Sequence, residues 1–433
     1  MMEQFIHYLS SAWVSIKRAP LPYALTILIM GLGLGVFFSN ATFYYWVNHD
    51  PLKHKSDKLF FPRIASMPNE CHGCEPPPVL SYADIKKLSG SNIPSASAAM
   101  FSALGYAKTD ERSSAGSATI RFTQKDFFKL FDVPILHGQV WPDNNARMEA
   151  ILSKAFAEKL FGNNDVVGKS FLLDDRVYTV SAVLDKWDMW PKLYDVNVGG
   201  YREPVEDIYL PLELSYDLNY HSKGNTRTYE PINPSKYATE GREKAFHRLQ
   251  FWVQLDSPEQ KNNYLAFMHN LVLDEKKAGR HPNVDTSVLH PMSEIMSAFH
   301  IQDTEVKAFA LVTLLFLFVC LFNASHLSLN RYMANQYEFS LRRALGASGR
   351  SLQVQLLADV FISSIFTLGL ACIFSWAGIF LINHFLPGNQ QFARWNVGLL
   401  FWLIVINFAV NYLMSLYPSL RTSFGNLNLQ LKS

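Results

Sequence analysis

Two cysteines, Cys71 and Cys74, form the short motif whose residue types could most directly carry chemistry. Haem attachment would need a histidine directly after the second cysteine, and Glu75 stands there instead. A zinc site would need a second pair of ligands at suitable spacing, which the sequence does not provide. We predict a Cys71–Cys74 disulfide, because the segment is expected outside the cytoplasm, where such bonds persist. Free thiols and metal or redox chemistry are the alternatives, and no metal site is predicted.

The stretch from Gly162 to Ser170, GNNDVVGKS, imitates the phosphate-binding loop of nucleotide-binding proteins. Its glycines are separated by five residues instead of four, and the following FLLDDRVYTV favours a strand where that loop requires a helix. We therefore predict a turn after a helix. Since there is also no HExxH or GxSxG pattern, we predict a non-catalytic chain. The alternative is an enzyme in the soluble part of the chain, which would be active without an ATPase.

A basic segment between two apolar runs, NRYMANQYEFSLRRALGASGR, combines a helix-compatible stretch with a sudden break. The break is formed by Gly346 and Gly349, which follow directly on the helical pattern. A basic cytoplasmic loop that sets membrane topology would explain the arginines. It would not explain the particular order EFSLRRALGAS, which suggests a second role for the segment.

The elements that must position this segment are long apolar runs, each with the roughly 20 residues that cross about 30 Å of hydrocarbon. The first run follows Lys17 and Arg18, as a signal peptide would, but it is too long and no clean cleavage site follows it. We therefore predict four transmembrane helices, at residues 21–47, 306–329, 358–386 and 397–417.

Arginine and lysine residues in the short flanking segments predict the orientation of these helices. Basic residues are concentrated in segments 1–20, 330–357 and 418–433, which we predict to be cytoplasmic together with both termini. The segment 387–396 carries only Arg394 and is predicted to be a short extracytoplasmic loop. The block 48–305 then lies outside the cytoplasm.

The outside block alternates strand and helix patterns, which predicts an α+β domain inserted between the first two membrane helices. Ser153 before KAFAEKLFG, which ends at Gly162, indicates a capped helix with a glycine stop. Strands are predicted at 59–64, 118–122, 149–152, 176–184 and 249–255, and helices at 81–88, 123–131, 154–161 and 259–271. Residues 186–240 are predicted to be irregular loops with short strands.

Composition supports this division into a membrane part and a soluble part. The 433 residues are 49% hydrophobic and only 18% charged, below the roughly 25% of ordinary soluble domains. A net charge of +2 argues against a nucleic-acid partner, which would favour a strong basic excess. Four cysteines are too few for a disulfide scaffold, and the apolar fraction excludes intrinsic disorder.

Small and polar residues inside the apolar runs are candidates for helix packing. Gly31 and Gly35 form a GxxxG pair, which lets helices approach closely, within one chain or between protomers. Asn323, near Ser325 and His326, is predicted to form hydrogen bonds between helices, because polar groups in a membrane tend to face other helices. A proton or substrate relay is the alternative for these polar residues.

The stretch from Glu338 to Ala347, EFSLRRALGA, resembles the E-[IF]-x-[IL]-R-x-A-[IL]-G-A motif of MacB/FtsX-type ABC transporter permeases, the type VII mechanotransmission superfamily. The resemblance covers nearly the whole chain. LSYADIKKL, FFKLFDVPILHGQVW and the long stretch LSKAFAEKLFGNNDVVGKSFLLDDRVYTVSAVL resemble segments of the family's periplasmic domain, and YPSLR resembles its carboxyl-terminal ending. The tail FGNLNLQLKS departs from the family's usual DPAEAL.

This resemblance implies a coupling helix that docks on a separate ATPase subunit, since the chain lacks the Walker and signature motifs of an ATPase. No cofactor is expected in this chain, and ATP and Mg are expected in the partner. The resemblance further implies permease dimers, of two copies or of this chain with a related permease, on an ATPase dimer. It also implies a subdomain inserted at about 117–237. The expected ATPase contacts are Arg342, Arg343, Leu345, Gly346, Ala347 and Ser348, with Glu338 anchoring the turn.

The function implied is mechanical: ATP-driven motion of the cytoplasmic segment would move the outside domain, without a pore through the bilayer. The expected location is a bacterial inner membrane, with contact to lipid and the large domain in the periplasm. The cargo would be a peptide, toxin, lipid or lipoprotein, and export would add a periplasmic adaptor and an outer-membrane channel. The alternative is an FtsX-like regulator of a periplasmic partner such as a cell-wall hydrolase.

Overall fold

The structure is a computed structural model with two compact units. The helical unit comprises Met1–Asn48 and Gln302–Ser433, and the mixed unit comprises His49–Ile301. The residues that the structure describes are 2–65, 75–109, 116–143, 147–197, 203–218, 220–228, 246–279, 287–298, 304–334, 336–385, 393–395 and 397–424.

Along the chain, the mixed unit is inserted between the two parts of the helical unit. In chain order, the helices are α1 (Met2–Arg18), α2 (Pro20–Val47), α3 (Tyr82–Leu88), α4 (Asp126–Leu130), α5 (Lys154–Phe161), α6 (Leu214–Asp217), α7 (Pro258–Lys277), α8 (Ile295–Ala298), α9 (Thr304–Ala334), α10 (Gln336–Ala344), α11 (Gly349–Phe385) and α12 (Val397–Phe424). The strands are β1 (Leu59–Arg63), β2 (Ala96–Lys108), β3 (Gly116–Thr123), β4 (Ile135–Gly138), β5 (Glu149–Leu152), β6 (Ser170–Leu173), β7 (Arg176–Leu184), β8 (Ile208–Pro211), β9 (Arg227–Thr228), β10 (Phe246–His247), β11 (Gln250–Gln254) and β12 (Val288–Pro291).

Four helices of the helical unit are long and apolar enough to cross a membrane. Many of their large apolar side chains point away from the bundle, and Phe322, for example, is 76% exposed. The qualifying stretches are Pro20–Val47, Val306–Arg331, Ser351–Phe385 and Val397–Leu416. These segments agree with the four apolar helices predicted from the sequence.

The amino-terminal segment is a helix, α1, which the sequence analysis did not predict. It ends at Arg18, and Pro20 begins α2, as expected for a residue that is tolerated in the first turn of a helix but breaks its interior. The indole ring of Trp13 stacks on Phe366 of α11 at a centroid distance of 6.0 Å. Helix α1 is therefore packed on the bundle.

The mixed unit is built on a ten-stranded sheet in the order β12-β1-β11-β2-β3-β8-β5-β7-β4, with β6 paired to β2 and β7. The pairs β3–β8 and β5–β7 are parallel, and the other pairs in this sheet are antiparallel. Strand β2 has 13 residues and pairs in turn with β11, β3 and β6. It therefore connects the strands that lie early and late in the chain.

The mixed unit contains a capped helix and a turn that local sequence signals predicted. The hydroxyl of Ser153 accepts a hydrogen bond from the amide of Phe156, which caps α5, and Gly162 ends the helix in the left-handed conformation. Gly168 also has a positive φ, of 82°, and strand β6 follows it. The imitation of a phosphate-binding loop is thus a turn between a helix and a strand, as predicted.

Candidate functional site

The predicted coupling segment is a short helix, α10, followed by a tight elbow into α11. The amide of Gly346 donates to the carbonyl of Arg343, and the amide of Ala347 donates to that of Arg342, both at 3.0 Å. These two bonds form a Schellman motif, which closes the carboxyl end of a helix through a residue in the left-handed conformation. Gly346 supplies that conformation with a φ of 101°. The glycine that breaks the helical pattern in the sequence therefore sets the geometry of the elbow.

Ser348 begins the next helix directly after the elbow. Its hydroxyl oxygen accepts a hydrogen bond from the amide of Ser351 at 3.2 Å, in the manner of an amino-terminal cap. Its carbonyl accepts from the amide of Leu352 at 3.2 Å. Because both sides of the elbow are closed by hydrogen bonds, the direction of α10 relative to α11 is well defined.

The tip of the elbow is exposed and partly apolar. Leu345 is 81% exposed, and Tyr337 and Leu341 on α10 are also exposed. Gly346 and Ser348 lie on the surface beside it, whereas Arg343 and Ala347 are half-buried. The backbone of Glu338 lies within α10, and its side chain is outside the described part of the structure. The structure therefore brings the predicted contact residues together on one short element.

Arg342 is half-buried and faces the next helix. Its Nη1 donates to Oε1 of Gln355 in α11 at 2.8 Å, and Nε2 of Gln355 donates to the hydroxyl of Ser11 in α1 at 3.3 Å. The hydroxyls of Tyr8 in α1 and Ser351 in α11 are also hydrogen-bonded, at 2.9 Å. These contacts join the coupling segment to α1, whose part in the site the sequence analysis missed. A helical apolar pattern at Ile6, Leu9, Trp13 and Ile16 was the signal available for it.

Gly31 and Gly35 lie against α11 of the same chain. A Cβ atom on Gly31 would lie 2.7 Å from Cβ of Leu370, and one on Gly35 would lie 2.4 Å from Cβ of Phe374. Real Cβ atoms do not approach so closely, so the two helices touch here only because both positions are glycine. Within one protomer this small-residue face is already occupied.

Asn323 lies apart from the helix contacts. It is exposed, and its amide donates to the carbonyl of Val319 in its own helix at 3.0 Å. A helix turns by about 100° per residue, so burial of the neighbouring Ala324 directs Asn323 away from the bundle. The α9 residues that face α2 at Gly33 are instead Cys320, whose Cβ lies 2.7 Å from where a Cβ on Gly33 would be, and Leu317.

The predicted disulfide between Cys71 and Cys74 lies outside the described residues. Cys320 and Cys372, both in membrane-capable helices, are free thiols. Within the described ranges, no group of three or more His, Cys, Asp or Glu side chains could hold a metal ion.

The mixed unit contains a buried ionic cluster that the sequence analysis did not find. Arg121 of β3, with 0% exposure, pairs with Asp195 and Glu206, and Nζ of Lys192 lies 2.7 Å from Oε1 of Glu206. Gln250 of β11 donates to Asp195 at 2.7 Å. The cluster holds the irregular chain before β8 against the sheet.

Charge decides the protonation state of this cluster. Burial by itself raises the pKa of a carboxyl group, but the positive charges of Arg121 and Lys192 prevail and lower the pKa of Glu206 to about 2. The same two cations also lower the pKa of Asp195 against its burial. Both carboxyl groups are therefore ionised at neutral pH, and the four formal charges cancel.

The chain matches two family models that together cover most of its length. Residues 23–265 match the MacB-like periplasmic core domain, and residues 307–427 match the FtsX-like permease C-terminal domain. The chain belongs to the MacB/FtsX-type ABC transporter permeases. Permeases of this family are generally non-catalytic components that work with ABC ATPase partners.

Two solved structures with similarity to this permease are described as a periplasmic region and an extracellular domain. The periplasmic region of MacB from Actinobacillus actinomycetemcomitans has 10% identity and a TM-score of 0.38, and covers 58% of this chain and 97% of its own. The extracellular domain of the noncanonic ABC-type transporter YknZ from Gram-positive bacteria has 16% identity and a TM-score of 0.33, and covers 51% of this chain and 95% of its own. A comparison with curated proteins found no match.

Proposed function

We propose that this permease couples ATP hydrolysis by a separate ATPase subunit to motion of the mixed unit on the far side of a bacterial inner membrane. The work would be the export or extraction of a peptide, toxin, lipid or lipoprotein. The four membrane-capable helices would span the lipid bilayer, with both termini in the cytoplasm. The active assembly would contain an ATPase dimer and a second permease, either another copy or a related chain.

The observation that carries this proposal is the closed elbow between α10 and α11 with Leu345 at its tip. An exposed leucine on a hydrogen-bonded turn is suited to insert into a groove of another protein. Its backbone is already ordered, so little conformational entropy is lost when the side chain is buried. Arg343, Gly346, Ala347 and Ser348 would line the same contact. Arg342, which bonds to Gln355, would contribute by holding α10 in place as well as by its charge.

Coupling would follow from the stiffness of the elements around the elbow. An ATPase dimer that closes on ATP binds one arrangement of the two elbows better than the other. A ligand shifts a conformational balance only by this difference in affinity. Helix α9 runs without interruption from Thr304 to Ala334, so displacement of α10 would be transmitted along it.

A binding experiment with one exposed side chain tests the proposal. The Leu345→Glu variant should insert and fold normally, because the side chain is 81% exposed, yet it should lose the cognate ATPase subunit on co-purification from membranes. The matched control is Leu104→Glu in the mixed unit, the same change at a leucine that is 55% exposed, and it should retain the ATPase. Retention of the ATPase by Leu345→Glu at the level of the control would refute the coupling role of the elbow.

A further inference from the structure

Three side chains from three helices meet in the interior of the helical unit. The hydroxyl of Tyr23 in α2 donates to Oδ1 of Asp359 in α11 at 2.5 Å. Nη2 of Arg331 in α9 donates to Oδ2 of the same carboxylate at 3.1 Å. The guanidinium carbon of Arg331 also lies 3.9 Å from the centre of the Tyr23 ring, which is the geometry of a cation–π contact. Each residue thus contacts both of the others.

The three side chains are buried, so their contacts cannot be exchanged for water at little cost. Tyr23, Arg331 and Asp359 are all less than one-tenth exposed. Charged groups in a membrane helix are costly unless they are paired and hydrogen-bonded, and removal of one partner leaves the other uncompensated. A movement that separates any one of the three helices here therefore meets strong resistance.

The cluster joins the two helices that flank the coupling segment to α2. Arg331 is in the last turn of α9, just before α10, and Asp359 is on α11, about 15 Å along the helix from its start at Gly349. Tyr23 is near the start of α2, whose other end at Val47 leads directly into the mixed unit. Helices α9 and α11 are already joined to each other through α10. Helix α2 has no such covalent link to the elbow.

The small-residue contact between α2 and α11 does not replace this connection. Gly31 is the first glycine of that contact, and it lies about 12 Å further along α2 than Tyr23, at 1.5 Å per residue. The beginning of α2, on the side of the elbow, is held by Tyr23 and its two charged partners, in addition to the preceding helix α1, whose Tyr8 and Ser11 are hydrogen-bonded to α11.

We propose that Tyr23, Arg331 and Asp359 are positioning residues that lock α2 to the two helices flanking the coupling segment. Displacement of the elbow then moves α2 together with α9. These are the two helices that connect to the mixed unit, so they would move as a pair. This assignment rests on the proposed coupling function for its purpose, although the lock itself is a property of the permease alone. Asp359 is the central member because it accepts from both partners.

The lock can be tested first in the full-length permease without an ATPase. Spin labels at Leu25→Cys in α2 and Met333→Cys in α9, both exposed positions, would report the distance between the helices by dipolar EPR in lipid nanodiscs. The background has Cys71, Cys74, Cys320 and Cys372 replaced by alanine. The parent should give one narrow distance distribution, and Asp359→Asn, which keeps the shape of the side chain but removes its charge, should broaden or split it.

The matched control is Asn407→Leu, which removes another buried hydrogen bond of the bundle, the one from Asn407 of α12 to the carbonyl of Ser364 in α11. It should leave the distribution narrow. If Asp359→Asn cannot be purified, Tyr23→Phe tests the same lock by removing a single hydroxyl. An unchanged distance distribution in Asp359→Asn, or in Tyr23→Phe where it takes its place, would overturn the proposal.

A second measurement, in complex with the cognate ATPase subunit, separates positioning from a merely structural role. A single label at Tyr45→Cys, near the end of α2 that leads into the mixed unit and away from the elbow, should show an ATP-dependent shift of its EPR spectrum in the parent. Asp359→Asn should retain ATPase binding and hydrolysis but lose this shift. Loss of binding and shift together would contradict a positioning role. If the parent itself binds no ATPase, the proposed function fails, and the first measurement alone decides on the lock.

Discussion

Single residues in the mixed unit show how a buried charge can hold a segment that lacks regular secondary structure. Arg121 is the only member of its cluster on a long strand, β3, while Lys192, Asp195 and Glu206 come from the irregular stretch before β8. The indole nitrogen of Trp252 donates to the carbonyl of Tyr194 at 3.0 Å and fixes the same stretch from β11. These contacts keep an irregular segment closely packed.

Removal of the arginine should be strongly destabilising. Arg121→Met leaves two buried carboxylates with one cation, and breaking a buried ion pair on one side costs about 3–5 kcal/mol. Denaturant unfolding of the full chain in detergent, followed by tryptophan fluorescence, would measure the loss. The control Arg147→Met removes an exposed pair with Asp143 and should cost no more than about 1 kcal/mol. Equal effects of the two substitutions would contradict the structural role of the cluster.

The same cluster predicts a dependence of stability on acid. Glu206 has a folded pKa of about 2 against an ordinary value of 4.5, so its folded form binds fewer protons than the unfolded chain between these values. Its contribution is therefore complete above about pH 4.5 and is lost as the pH falls towards 2. Thermal unfolding midpoints of the parent should fall over this window. The fall should be smaller for Arg121→Met, because the lowered pKa of Glu206 depends on that cation. An equal fall of the unfolding midpoint in the variant would argue against this cause.

At the level of elements, the helical unit depends on the close approach of α2 and α11. The hydroxyl side chain of Ser39 continues the contact beyond Gly35, since a Cβ on Gly378 would lie 2.5 Å from its oxygen. Small residues on both helices therefore form one seam, and its effect is to bring the two backbones together.

Filling this seam should separate the helices. Gly35→Ala places a methyl group 2.4 Å from Cβ of Phe374 and should destabilise the bundle by about 1–3 kcal/mol, as overpacking does. Gly369→Ala is the matched control, because a Cβ there meets nothing within 4 Å, and it should be neutral or slightly stabilising. Thermal unfolding in the same detergent compares the two. A Gly35→Ala variant as stable as the control would show that the helices adjust freely.

At the scale of the whole molecule, the proposal requires the elbow and the mixed unit to lie on opposite sides of a membrane. Leu345→Cys and Val177→Cys introduce thiols at exposed positions of the elbow and of β7 in the mixed unit. In a background with the native cysteines replaced, a membrane-impermeant maleimide should label Val177→Cys once the outer membrane is permeable. It should label Leu345→Cys only after the inner membrane is disrupted. Labelling of both in intact spheroplasts would refute the orientation.

Sequence patterns predicted elements wherever the decisive interactions are local. The spacing of Ser153 and Gly162 defined α5, and Gly346 marked the end of α10, because caps and left-handed turns depend on neighbours within a few residues. Strand β2 was missed: its apolar residues continue through Ala98, Ala99 and Met100 without alternation, since the strand is buried on both faces there.

The sequence by itself determined that this chain has four apolar helices, an α+β block and a basic elbow, and the motif at the elbow identified its family. These properties follow from composition and from contacts between near neighbours. Only the tertiary structure decided that Gly31 faces α11, that Asn323 faces away from the bundle, and that Tyr23, Arg331 and Asp359 meet. Their physical basis is the rotation of each helix and the pairing of buried charges, which depend on side chains hundreds of residues apart in the sequence.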